Sequence, residues 1–119
     1  MASIDDIASL LKRKRFLLHD EKVLQRDIYT ALLEIMDPGF VIKELQLDPD
    51  NIIDFFVYDG IGIELKIKGS KRQIYKQCER YCRFDEIKSL ILITNLSMGF
   101  PEQINGKDCY VLKLGSAWL

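Results

Sequence analysis

Asp54, Glu64 and Lys66 are the residues whose types and spacing could do chemistry: a carboxylate, nine intervening residues, then Glu64-Leu65-Lys66. They interrupt two apolar runs, N-I-I-D-F-F-V-Y at 51–58 and I-G-I-E-L-K-I-K at 61–68. On a strand Glu64 and Lys66 share one face while Ile63, Leu65 and Ile67 share the other. The aliphatic face is core, and the charged face needs another explanation. Two carboxylates facing each other at the ~4.5–5.5 Å of a cross-strand pair repel by roughly 3–4 kcal/mol at an effective dielectric of about 20. A hard divalent cation such as Mg²⁺, which takes oxygen ligands and only one or two carboxylates, would remove that conflict.

Whether the carboxylates meet depends on the turn at Asp59-Gly60, a strong hairpin signal. A two-residue type I′ loop would set Asp54 opposite Leu65, pointing away from Glu64. A three-residue loop, Tyr58-Asp59-Gly60, with Gly60 as a left-handed G1 bulge, pairs Val57 with Ile61 and Asp54 with Glu64. Only the second register makes a site.

The order Asp54…Glu64-Leu65-Lys66 on a hairpin resembles the D…ExK signature of the PD-(D/E)XK nuclease superfamily. The resemblance implies a Mg²⁺-dependent phosphodiesterase, with Mn²⁺ able to substitute. Asp54 and Glu64 would be metal ligands, the Leu65 carbonyl a further one, and Lys66 the group that orients or activates the attacking water. Ile53 stands where the proline of that signature often precedes the aspartate.

At 119 residues, 48% hydrophobic and 29% charged, the chain fits one soluble domain. No apolar run of ~18 residues and no basic-then-apolar leader is present, which reads as a cytoplasmic protein. Cys78, Cys82 and Cys109 are an odd number without C-x-x-C spacing, and His19 is the single histidine, so neither a disulfide nor a zinc cage is expected.

The supporting elements follow from periodicity and caps. Residues 1–19 read as an N-terminal segment holding a short amphipathic helix from Ser3 to about Arg15, with Ser3 as N-cap and Ile4, Ile7, Leu10 and Leu11 on one stripe, ending in Lys12-Arg13-Lys14-Arg15. That basic run either touches phosphates or a partner, or is a solvated face. The nuclease-like domain is placed at 20–119. Asp20 caps a helix over 21–36, stopped at Asp37-Pro38-Gly39, with Leu24, Ile28, Ala31, Leu32 and Ile35 buried. Glu21 is in phase with that stripe. It either complements the helix dipole or, as the resemblance implies, points at the metal from the first core helix; Asp27 is its rival.

Strands are expected at 40–47, 52–58 and 61–68, a helix at 70–84, strands at 88–95 and 109–114, and a loop with one helical turn at 101–104. Trp118-Leu119 would cap the core. On the 70–84 helix, Gln77 lies a turn from Ile74 and Tyr81, where an amide must find partners. Gln77-Cys78-Glu79-Arg80-Tyr81 resembles the Q-x-x-x-Y motif that follows D…ExK in RecB-like and λ-exonuclease-like nucleases. There Gln77 would order the site, and Tyr81 would support it or contact nucleic acid; otherwise Tyr81 is a core aromatic with a wet hydroxyl.

The net charge is −1, so no global field recruits a polyanion. Locally Lys66, Lys68, Lys71, Arg72, Lys76, Arg80 and Arg83 are opposed only by Glu79. Of these, Lys68, Lys71, Arg72 and Arg80, with Tyr81, are the expected nucleic-acid grip. The element order matches the restriction-endonuclease-like αβββαβ core, an α/β fold with a mixed sheet. The expected function is DNA phosphodiester hydrolysis in repair, recombination or mobile-element DNA processing, with RNA left open as substrate and a homodimer as the assembly. The competing expectation is a catalytically silent nucleic-acid-binding or protein-interaction module.

Overall fold

The computed structural model describes residues 2–115; the expected cap Trp118-Leu119 lies outside them. Ser3 caps α1 (Ile4–Lys12) in a capping box: its hydroxyl accepts from the Asp6 N–H while Asp6 accepts from the Ser3 N–H. Ile7, Ala8, Leu10 and Leu11 bury the apolar stripe in the same core as α2 (Glu21–Leu32), so the N-terminal segment belongs to the main fold. The basic run after α1 is partly used internally: Lys12 donates to the Tyr110 hydroxyl and Lys14 pairs with Glu34.

Asp20 caps α2 by accepting from the Lys22 and Val23 N–H groups. The helix ends at Leu32 rather than Met36. The N–H groups of Glu34 and Ile35 reach back only three residues, to the carbonyls of Ala31 and Leu32. This tightened turn swings Ile35 off the stripe, leaving it 38% exposed against expectation.

A short 3-10 turn (Pro38–Phe40) leads into β1 (Val41–Asp48), β2 (Asn51–Val57) and β3 (Ile61–Lys66), an antiparallel meander. Ser70 caps α3 (Lys71–Tyr81), which crosses to β4 (Ser89–Thr94), parallel to β3. β6 (Lys107–Lys113) adds in parallel to β4, and β5 (Gln103–Ile104) closes the edge antiparallel to β6. The mixed six-stranded sheet runs β1-β2-β3-β4-β6-β5. β5 replaces the helical turn expected at 101–104. Asn105 and Gly106 both hold positive φ (54° and 75°), the two-residue hairpin turn that an Asn-Gly pair favours.

Helices α1 and α2 cover one sheet face, burying Phe55, Val57, Ile63, Leu65, Ile91 and Ile93. Helix α3 covers the other, burying Phe56, Leu90 and Leu92. β4 is thus buried on both faces, as its continuous apolar run requires. The strip where α2, α3 and the ends of β2 and β3 come together carries the charged residues.

Candidate active site at the parting of two strands

The β2–β3 register is the three-residue-loop one: Val57 pairs with Ile61, Phe56 with Gly62 and Phe55 with Ile63. The turn differs in detail from a G1 bulge. The Tyr58–Asp59 peptide is cis, and Gly60 sits at φ 129°. Gly60 is required there by space as well. A Cβ on it would lie 2.8 Å from Lys88 Cγ and 3.1 Å from the Glu86 carbonyl oxygen.

Beyond Phe55–Ile63 the strands part, so Asp54 and Glu64 do not form the ordinary cross-strand pair expected. Side chains take over the ladder. The Leu65 N–H donates to Asp54 Oδ2 at 2.8 Å, and the Asp54 N–H donates to Glu64 Oε1 at 3.2 Å. The face alternation of β2 breaks at the same point: Ile53 packs with α3, while Phe55, two residues on, packs with α2. Across from Asp54, between Lys43 (paired with Phe55) and Leu45 (paired with Ile53), Glu44 holds φ 53°. A non-glycine residue there costs of order 1 kcal/mol. The positive φ of Glu44 on β1 thus falls level with the point where β2 and β3 stop pairing.

Glu64 is 3% exposed, yet it is charged by type. Burial first, then the neighbouring Asp54 carboxylate, push its pKa up to about 8, against the opposing pull of Lys66. The Lys66 Nζ stands 3.8 Å from Glu64 Oε2 and is 29% exposed, at the mouth of the site. Asp54 is raised too, by burial, with the Leu65 N–H as the main opposing influence. The proton shared by this pair therefore sits on Glu64.

Tyr81 fits that assignment. Its hydroxyl lies 2.8 Å from the Ile52 carbonyl oxygen and 3.2 Å from Glu64 Oε2, and accepts from Gln77 Nε2 at 2.8 Å. A phenol has one hydrogen to give, and the shorter contact takes it. The hydrogen between Tyr81 and Glu64 is then supplied by a protonated Glu64. Tyr81 is fully buried, which leaves no face for nucleic acid; of its two expected positions it takes the supporting one, against Glu64 and the Ile52 carbonyl. Gln77 touches this pair only through the Tyr81 hydroxyl.

Glu21 reaches the neighbourhood but is partly engaged: its Oε1 accepts from the Ile67 N–H at 3.0 Å, tying the N-terminus of α2 to the end of β3. Asp27, its rival, pairs with Arg26 instead. Among the described residues no three His, Cys, Asp or Glu side chains converge as a ready-made cation cage, so Glu21 does not complete a three-carboxylate set with Asp54 and Glu64. The donor set that does meet is two oxygen-bearing carboxylates, one of them buried beside the other. That set suits Mg²⁺, which keeps most of its water and asks for one or two carboxylates. Glu64 needs either a proton or a cation beside it.

Lys66, Lys68, Lys76 and Arg80, with Gln73 and Gln77, line a cleft of about 470 Å³ between the end of β3 and α3. Lys68 and Arg80 were expected there, whereas Lys76 was not singled out. Its signal was its place one turn before Arg80. Lys71 and Arg72, also expected in the grip, stand exposed in the first turn of α3 and do not line the cleft. Gln25 was missed altogether. It lies one turn after Glu21 on α2 and donates from Nε2 to Asp54 Oδ1 at 3.3 Å.

Two of the three cysteines are also in contact, Cys82 Sγ lying 3.7 Å from Cys109 Sγ. No helix among the described residues is long and apolar enough to cross a membrane. No protein-family model, curated protein or solved structure matches the chain.

Proposed function

We propose that this chain is a metal-dependent nuclease of the PD-(D/E)XK kind, built on a restriction-endonuclease-like core, that hydrolyses DNA phosphodiester bonds. The observation that carries the reading is the meeting of Asp54, Glu64 and Lys66 where β2 and β3 part, with a cationic cleft beside them. Fold alone would not assign it. The α-β-β-β-α-β order, with β3 and β4 parallel across α3, is consistent with it.

Asp54 and Glu64 are the residues that would hold Mg²⁺, while Glu21 stays on the Ile67 N–H. When bound, the ion supplies charge neutralisation at the phosphate and a more acidic water. The residues of the chain do the rest. Lys68, Lys76 and Arg80 hold the phosphodiester backbone in the cleft. Lys66, at the mouth, orients the attacking water and stabilises negative charge that builds on the phosphate oxygens as the P–O bond to the leaving group breaks. Gln25 and the Leu65 N–H fix Asp54; Tyr81 and Gln77 fix Glu64. Such preorganisation is worth much in rate, because a misplacement of ~1 Å can cost ~100-fold.

The test is cleavage of labelled linear, supercoiled, single-stranded and four-way-junction DNA, and of RNA, in Mg²⁺ or Mn²⁺ against EDTA. Wild type is compared with Glu64→Ala and Lys66→Ala. Metal-dependent cutting lost in both variants is expected, with Lys66→Ala keeping the thermal stability of the wild type. Metal-independent DNA binding without cutting on any substrate would replace this reading with the silent module.

A further inference from the structure

The candidate site uses no thiol, yet the fold brings two together. Cys82 is the C-cap of α3, and Cys109 lies on β6; their sulfurs are 3.7 Å apart although 27 residues separate them in the chain. Contact at that distance needs a movement of only ~1.6 Å to reach the ~2.05 Å of a disulfide. Cys82 is buried and Cys109 half-buried, so one partner is open to a small oxidant while the other waits behind it. Sequence spacing gave no hint of this, because the pair is made by the packing of α3 against β6.

We propose that Cys82 and Cys109 are a redox-modification site, closed to a disulfide by a peroxide, and that closure displaces the C-terminal end of α3 from the candidate site. The first step is attack of the Cys109 sulfur on a peroxide oxygen. The O–O bond breaks, the thiol proton leaves with the departing oxygen as water, and Cys109 becomes a sulfenic acid. In the second, Cys82 sulfur attacks Cys109 sulfur, the S–O bond breaks, and the Cys82 proton leaves with that oxygen as a second water. Two thiols and one hydrogen peroxide thus give one disulfide and two waters.

Cys109 is suited to react first. Its sulfur is the more accessible of the two, Cys82 being buried behind it, so a peroxide meets Cys109 first. The consequence for the site follows from chain continuity. Tyr81 directly precedes Cys82, and its hydroxyl spans Ile52 and Glu64 at 2.8 and 3.2 Å. A pull of the size needed to close the disulfide exceeds the slack in those contacts.

The site itself does not depend on the nuclease reading, whereas the effect on cutting rests on it; the experiment therefore has separate readouts. The full chain is exposed to hydrogen peroxide, alkylated, and mapped by non-reducing peptide mass spectrometry. The same is done for Cys109→Ser and, as a second variant, Cys82→Ser. Expected is a Cys82–Cys109 crosslink, reversed by dithiothreitol and absent from both variants, with faster amide exchange over residues 78–82 in the oxidised wild type. Cutting should fall at least ~10-fold on oxidation and return on reduction, while Cys109→Ser cuts at the wild-type rate and resists peroxide. Sulfinic or sulfonic acid at Cys109 without a crosslink, or a crosslink through Cys78, would overturn the site. A crosslink that leaves both exchange and cutting unchanged would overturn its coupling to α3. A protein that crosslinks and loosens α3 but never cuts would sink only the nuclease reading.

Discussion

Replacing Glu64 with glutamine should stabilise the metal-free fold, and increasingly so as the pH rises. Glu64 keeps its proton in the fold up to about pH 8 but loses it near 4.5 when unfolded. The folded form therefore binds the extra proton between those values, so stability is fully present below the unfolded pKa and is lost as the pH rises towards 8. Each tenfold change in proton affinity is worth ~1.4 kcal/mol, which sets a ceiling of ~5 kcal/mol. Relaxation of the site around the charge reduces this to an expected ~2–4 kcal/mol. Glutamine reproduces the protonated pattern, since its oxygen can accept from the Asp54 N–H and its amide can donate towards the Tyr81 oxygen. Thermal melts in EDTA would read the difference. Wild type and Glu64→Gln should coincide within a degree or two near pH 4 and separate by ~10 °C near pH 8.5, given ~3–5 °C per kcal/mol for a chain of this size. Saturating Mg²⁺ should restore wild type at pH 8.5 and leave the variant unmoved. Parallel melting curves across the pH range would refute the assignment of the buried proton to Glu64.

Tyr81→Phe should lower stability by ~1–3 kcal/mol in urea unfolding, because the Ile52 carbonyl and the Gln77 amide lose their shared partner. It should also reduce cutting without weakening DNA binding, whereas a residue that grips nucleic acid would do the reverse. Removing the cleft cations together, Lys68→Ala, Lys76→Ala and Arg80→Ala, should weaken DNA binding at all sequences and reduce the slope of log affinity against log salt by ~2–3. The same measurement on Lys71→Ala with Arg72→Ala should move the slope by under ~1, since neither lines the cleft.

What the sequence determined by itself is the local framework. The caps at Ser3, Asp20 and Ser70, the helical stripes, and the strand alternation placing Glu64 and Lys66 on one face all follow from covalent geometry over a few residues. The order Asp54, Glu64, Lys66, Gln77, Tyr81 was legible for the same reason. Asn105-Gly106 is equally legible as a turn, since both residues tolerate positive φ.

Only the tertiary structure decided what those residues do. The parting of β2 and β3 beyond Phe55–Ile63 puts carboxylates in place of ladder hydrogen bonds. Burial of Tyr81 under the β1–β2 arm turns a candidate DNA contact into the clasp on Glu64. The selection of Lys76 and Arg80 over Lys71 and Arg72, and the contact of Cys82 with Cys109, arise where α3 lands on the sheet. Helix and strand periods say which residues share a face. The hydrogen-bond partner, the depth of burial, and hence the charge state of a carboxylate belong to whatever distant segment packs opposite.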